Sequence, residues 1–374
     1  MNSPRTVTQL LQSLVQIPSV NPEGDPGTDG VGEQQMAEAL RVFLNELGAH
    51  AELRPVLPGR PNVVARFPSN RPGKPRLLFA PHTDTVSVAG MTIAPFSGEC
   101  RAGRVWGRGA SDTKGPMAAM LWALKEAREW IPTLSHEIWF AGLMSEETGQ
   151  HGAKALANEE RFDFVIAGEP TGLDIVHTHK GALWLTLSTR GKAVHAASPE
   201  LGSNAIYKMA DVLRHIRDVV APSLLQHKHP VLGSPSISAG VIQGGSKTNI
   251  VPDHCRVLVD IRMVPGDDGI LERVSAQLRS VCPELEISHV SSPPMWTEPG
   301  HPILEELGQC GARLIGAPWF CDAAIFAQKG VPAIAMGPGS IAQAHTEDEW
   351  IEVAELERGA EFFGRFLARL QPVG

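Results

Sequence analysis

The sequence predicts an α/β protein: a mixed, mostly parallel sheet with helices on both faces, carrying an inserted ferredoxin-like βαββαβ domain. Three observations predict it. Short, nearly continuous apolar runs over 62–67, 76–80, 137–144, 164–167 and 331–336 alternate with helical patterns, as strands buried on both faces of a sheet do. Between residues 182 and 290 the pattern changes to alternating strands and two amphipathic helices. The length, 374 residues, allows roughly two and a half units of about 150 residues each.

Taken in order, Leu10, Leu11, Leu14 and Val15 recur at helical spacing over 6–15, and Pro18 stops that helix. Residues 21–32, rich in Gly, Pro and Asp, read as a loop, followed by an amphipathic helix over 33–47. A helix over 116–130 lies between two of the apolar runs. Residues 182–189 then alternate as a half-buried strand, and the helix over 204–219 puts Ile206, Met209, Ala210, Leu213 and Ile216 on one side. Strands over 236–242 and 255–261 are joined through Gly244-Gly245-Ser246, with a helix over 269–281 and a strand over 285–290. That order is the split β-α-β-β-α-β pattern. The apolar βα style resumes after Pro293-Pro294, so 179–291 is expected as an insert in a domain made of 1–178 and 292–374.

Composition narrows the function. Hydrophobic residues at 43% and charged residues at 20% describe an ordinary globular chain rather than a disordered one. With 33 basic against 41 acidic residues the net charge is -8, which argues against nucleic acid as partner. No apolar run approaches the ~20 residues of a membrane span. The first residues lead into an amphipathic stretch, not a signal-peptide core, and a cytoplasmic location is expected. The 5 cysteines (Cys100, Cys255, Cys282, Cys310, Cys321) form no Cys-x-x-Cys pair, so any metal must be held by nitrogen and oxygen.

Chemistry collects just after the apolar runs, where ligands bind in open α/β sheets. The run 76–80 is followed by Pro81-His82-Thr83-Asp84, 137–144 by Ser145-Glu146-Glu147, 164–167 by Gly168-Glu169-Pro170, and 331–336 by a Gly-rich loop ending in Ala344-His345. A further element, Trp106-Gly107-Arg108-Gly109-Ala110-Ser111-Asp112, delivers Asp112 just before a helix. Taken singly, each has a duller reading: a satisfied polar residue, a solvated turn, or an N-cap. Taken together they form a cluster of like charges that divalent cations would neutralise, and imidazole plus carboxylate without thiolate suits a catalytic zinc pair.

These stretches, with Thr113-Lys114-Gly115 after Asp112 and His345-Thr346-Glu347-Asp348-Glu349-Trp350, resemble the zinc aminoacylase family, which includes acetylornithine deacetylase, succinyl-diaminopimelate desuccinylase and carboxypeptidase G. The resemblance runs over nearly the whole chain. It implies two zinc ions (cobalt or manganese as substitutes), with His82 and Glu169 on one, Glu147 and His345 on the other, and Asp112 bridging. It implies Glu146 as general base, a cis bond at Asp112–Thr113, and Asp84 as acceptor of the second ring N–H of His82. The 179–291 insert is where the family places its lid and dimerisation domain, so a homodimer is expected. His195, in Lys192-Ala193-Val194-His195, matches the lid histidine that relatives supply from the partner subunit. Asn249 and Arg262 match lid positions that contact substrate carboxylate, against the plainer readings of a turn residue and a surface ion pair. Gly339 lies in a loop whose N–H groups could also bind carboxylate. Asp322 is given no role.

The expected activity is hydrolysis of the amide bond of an N-acyl-L-amino acid, acetylornithine first among candidates, with a carboxypeptidase or dipeptidase as the alternative. A nucleotide-binding protein is the rival class, but neither phosphate-binding glycine motif is present. A catalytically dead binding protein is the third option, and the full set of expected ligands argues against it.

Overall fold

The computed structural model describes residues 4–372, apart from 24, 26, 29 and 30. It divides into two units: Met1–His177 with Thr297–Ile315 and Cys321–Gly374, and Thr178–Trp296 with Gly316–Phe320.

The first unit is built on a mixed sheet. Its strands run in the order His50–Leu57, Arg60–Arg66, Glu137–Gly142, Arg76–Pro81, Phe164–Gly168, Ala333–Met336 and Ile175–His179. The middle of the sheet is parallel: Arg76–Pro81 pairs that way with Glu137–Gly142 and Phe164–Gly168, and Ala333–Met336 with Phe164–Gly168. An antiparallel hairpin, His50–Leu57 with Arg60–Arg66, closes one side; its outer strand has too mixed a burial pattern to be read from apolar runs.

Period-2 geometry sends alternate side chains to opposite faces. Leu77 and Phe79 enter a core with the helices Val7–Val15, Lys114–Ala127 and Val353–Arg369, where Phe79 meets Phe363 edge-on at 5.9 Å. On the other face Trp139 packs against Phe162 at 5.6 Å, and Phe162 against Phe326 of the helix Ala323–Gln328 at 6.2 Å. Each such buried side chain contributes roughly 1.5–3 kcal/mol. Thr6 caps the first helix by accepting the Gln9 N–H. The helix expected over 116–130 runs Lys114–Ala127, and the C-terminal helix Val353–Arg369 is an addition to the sequence reading.

The second unit has a four-stranded antiparallel sheet ordered Ser236–Gly244, His254–Met263, Gly181–Arg190, Glu286–Ser292, with helices Ala205–His215 and Ile270–Val281. Taken in chain order this is the split βαβ arrangement predicted. Leu183, Leu185, Leu187, Val257, Val259 and Ile261 bury one face against Met209, Val212, Val274 and Leu278. Trp184, Leu258 and Val290 stand exposed on the other. Asn204 caps Ala205–His215, accepting the N–H of Ile206 and Tyr207. Among the described residues no helix is long and apolar enough to cross a membrane.

Candidate metal centre

Parallel pairing makes four strands of the first unit end on the same edge, and each is followed there by a candidate site residue. His82 follows Arg76–Pro81, Glu146 and Glu147 follow Glu137–Gly142, Glu169 follows Phe164–Gly168, and His345 ends the loop after Ala333–Met336. A parallel bridge between His82 and Leu143 continues the pairing past the strand ends. Asp112 comes from the turn between Arg104–Trp106 and the helix Lys114–Ala127, and its peptide bond to Thr113 is cis.

The five side chains form two triads with one member in common. His82, Asp112 and Glu169 offer donor atoms within 4.8 Å of one another, and so do Asp112, Glu147 and His345. His82 Nε2 lies 3.1 Å from Asp112 Oδ1. His345 Nε2 lies 3.4 Å from Asp112 Oδ2 and 3.1 Å from Glu147 Oε2. Two imidazole nitrogens, three carboxylates and no thiolate fit a pair of divalent ions of the zinc, cobalt or manganese type.

Charge explains why such a set calls for cations. Burial, then the charge of Asp112, pushes Glu169 well above the usual carboxylate range and raises Glu147 as well. Glu146 is likewise pushed well up, by burial and then by Glu169. His82 loses proton affinity to burial, but Asp112 and Asp84 outweigh that and hold it well above the usual imidazole value. Asp112 and Glu147 push His345 up to about 10. The cluster therefore draws positive charge, as protons or as metal.

Supporting groups hold His82, Glu147 and Asp112. His82 Nδ1 is 2.9 Å from the carbonyl oxygen of Asp84 and 3.5 Å from its carboxylate. The carbonyl, not the carboxylate of the sequence argument, is thus the nearer partner. The Asp84 carboxylate instead accepts the backbone N–H of Glu146 at 3.0 Å and of Glu147 at 3.1 Å, and an N–H of the Asn21 amide at 2.8 Å. It ties the turn that carries Glu146 and Glu147 to the strand that carries His82.

Glu349, Glu33 and Asp322 are buried carboxylates to which the sequence reading gives no role. Glu349 Oε1 accepts the backbone N–H groups of Ser111 and Asp112, and its Oε2 that of Gly109 and an Nη1–H of the Arg108 guanidinium. Glu33 takes two bonds from Arg60, both 2.7 Å, and also accepts the N–H of Ser145, which sits at φ +63°. Asp322 is buried, and burial pushes it up to about 7; it adds negative charge beside Glu146 and Glu169. In sequence a carboxylate that holds a turn looks like any surface acid, and no spacing rule separates the two. Only Glu349 stood inside a recognisable stretch.

Gly339 is buried at φ +94°, where a Cβ would lie 2.9 Å from Ser111 Oγ. Its carbonyl accepts the Gly172 N–H. A close approach behind the Asp112 loop thus accounts for this glycine. His195, Asn249 and Arg262 belong to the second unit. His195 and Asn249 are exposed on paired segments, with the Ala196 N–H donating to the Asn249 carbonyl and a bridge between His195 and Ile250. His195 Nδ1 accepts the Ala197 N–H at 3.1 Å, so the neutral ring carries its proton on Nε2. Arg262 pairs with Asp260 at 2.9 Å.

Comparison with known proteins gives the ancestry. The family described as Peptidase family M20/M25/M40 matches residues 78–369. An acetylornithine deacetylase of Proteus mirabilis is 30% identical over 378 residues, 97% of this chain and 96% of that one. Among solved structures, the aminopeptidase PepT of Bacillus cereus superposes with a TM-score of 0.78 at 22% identity, covering 98% of both chains. The M20 family metallo-carboxypeptidase Sso-CP2 of Sulfolobus solfataricus gives 0.79 at 20%, covering 99% of this chain and 100% of that one. The chain belongs to peptidase family M20/M25/M40.

Proposed function

We propose that this protein is a metal-dependent amidohydrolase that cleaves N-acyl-L-amino acids, with acetylornithine-like substrates first. The observation that carries the reading is the pair of triads sharing Asp112, with Glu146 beside them. The 30% identity to an acetylornithine deacetylase supports the substrate class.

In this reading His82 and Glu169 hold one zinc, Glu147 and His345 the other, and Asp112 both. Bound there, the metals polarise a carbonyl and lower the pKa of water. Glu146 takes a proton from the attacking water and returns it to the leaving nitrogen, a transfer that its place beside both triads allows. Asp84 acts through others, keeping Glu146 and Glu147 in place by their N–H groups. His195 offers its Nε2–H to the developing oxyanion, supplied to the partner's site in a homodimer. Arg262 and Asn249 of the second unit are the donors proposed for the substrate carboxylate, and the N–H groups of the Gly339 loop in the first unit are a separate candidate. The exposed apolar residues of the second unit's sheet, Val241 and Ile242 included, support dimerisation through that unit. A cytoplasmic site of action completes the reading.

Metal analysis combined with a panel of N-acetyl, N-succinyl and dipeptide substrates tests it. Metal-dependent turnover of acyl-amino acids is expected. Turnover confined to dipeptides would replace the deacylase reading with the peptidase one, which the likeness in fold to the Sulfolobus carboxypeptidase and the Bacillus aminopeptidase keeps open.

A further inference from the structure

On the strand His254–Met263, Asp260 and Arg262 are two residues apart and share one face. The opposite face carries Val259 and Ile261 into the core of the second unit. Asp260 Oδ2 accepts the Nε–H of Arg262 at 2.9 Å. The guanidinium carbon also lies 5.9 Å from the centre of the Phe320 ring, and Phe320 packs edge-on against Trp184, the register partner of Asp260. The guanidinium is thus held at Nε and across the ring of Phe320.

What is left open is informative. Among the described residues no hydrogen bond or ion pair occupies Nη1 or Nη2 of Arg262. The second oxygen of Asp260 is buried without a hydrogen-bond partner, so Asp260 grips by one oxygen and leaves the terminal fork alone. Lys180 adds a second cation: burial and then the charge of Arg262 lower its pKa, and its Nζ donates to the Ser234 carbonyl. Two cations against one carboxylate leave this cluster net positive.

We infer that Asp260 is a positioning residue which, with Phe320, presents the two terminal nitrogens of Arg262 as a preset fork for the substrate's free carboxylate. A guanidinium recognises a carboxylate best through two parallel bonds from one edge. Fixing it beforehand removes the rotamer freedom that binding would otherwise have to quench. The inference rests on the proposed turnover of substrates that carry a free carboxylate.

The test is steady-state kinetics on an N-acetyl-amino acid and on the matching N-acetyl-amine that lacks the carboxylate. Asp260→Ala should raise KM for the acid about tenfold while kcat stays within about twofold, the signature of lost ground-state binding. Asp260→Asn keeps an acceptor for Nε–H and should restore most of the wild-type KM. Neither substitution should alter turnover of the amine, and Asp260→Ala should add nothing in an Arg262→Ala background. A fall in KM in both variants would make Asp260 a repelling charge and overturn the inference. An equal loss on acid and amine would reduce it to a structural residue and do the same. Wild-type protein that hydrolyses no acyl-amino acid would instead overturn the functional reading on which the inference stands.

Discussion

The Glu349 carboxylate accepts the backbone N–H of Asp112 at 2.9 Å across 237 residues of sequence. The same oxygen takes the Ser111 N–H, and the other takes Gly109 and Arg108. One buried side chain therefore sets the turn that carries the donor common to both triads. Glu349→Ala should weaken metal binding by roughly 10–100-fold, the usual loss when an outer partner of a ligand is removed. Metal titration of the apoprotein checks this; unchanged affinity would mean the turn holds its own shape.

Glu146→Gln isolates proton transfer from metal holding. Metal content should stay at the wild-type level while kcat falls by roughly 10²–10⁴-fold. Loss of metal with activity would show that Glu146 is itself a ligand and that the roles of Glu146 and Glu147 are exchanged.

Glu33 is fully buried against Arg60, whose other acidic partner, Glu23, is half-exposed and 3.4 Å away. Glu33→Ala strands a buried guanidinium, so unfolding free energy should drop by roughly 3–5 kcal/mol. Because Glu33 also accepts the Ser145 N–H, turnover should fall even where the variant is fully folded. Urea denaturation read beside kcat separates the two effects, and a loss below about 1 kcal/mol would rank the pair with surface ion pairs.

His179 makes stability depend on pH. Burial holds its pKa near 4, below the ordinary 6.5, although Nδ1 lies 2.9 Å from the Lys180 carbonyl. The folded ring stays neutral where the unfolded one takes up a proton. Its contribution is therefore complete above pH 6.5 and fades as pH falls toward 4. The slope is about 1.4 kcal/mol per pH unit, or about 3 kcal/mol over the window as an upper bound. His179→Phe keeps a ring for Trp319 to stack on and should flatten the denaturation profile by that amount between pH 6.5 and 4. Parallel profiles would exclude His179 as the cause.

The parts that the sequence reveals are those in which one physical demand dominates. Leu77, Leu78 and Phe79 are apolar in a row because both faces of their strand are buried, and the acids and imidazoles follow because strand ends are where a sheet opens to ligands. The outer strand His50–Leu57 serves solvent and core at once and carries no such run. Val353–Arg369 does carry a helical period in Leu356, Ala360, Phe363 and Leu367, though no flanking motif draws the eye to it. Glu33, Glu349 and Asp322 are legible only in three dimensions, because what distinguishes them is which backbone N–H or charge lies beside them. The nearer partner of His82 is likewise a carbonyl, which every residue possesses and no alphabet records.

Asp112 stands in both triads. Ions seated in a centre of this kind cannot act as independent guests. In the proposed two-metal centre the first arrival would draw on the electron density of a carboxylate that the second also needs, while dispelling the protons and like-charge repulsion that oppose it. Occupancy of either place would then alter the affinity of the other by the same factor in both directions. Calorimetric titration of the apoprotein should accordingly refuse a description by two identical, unlinked steps.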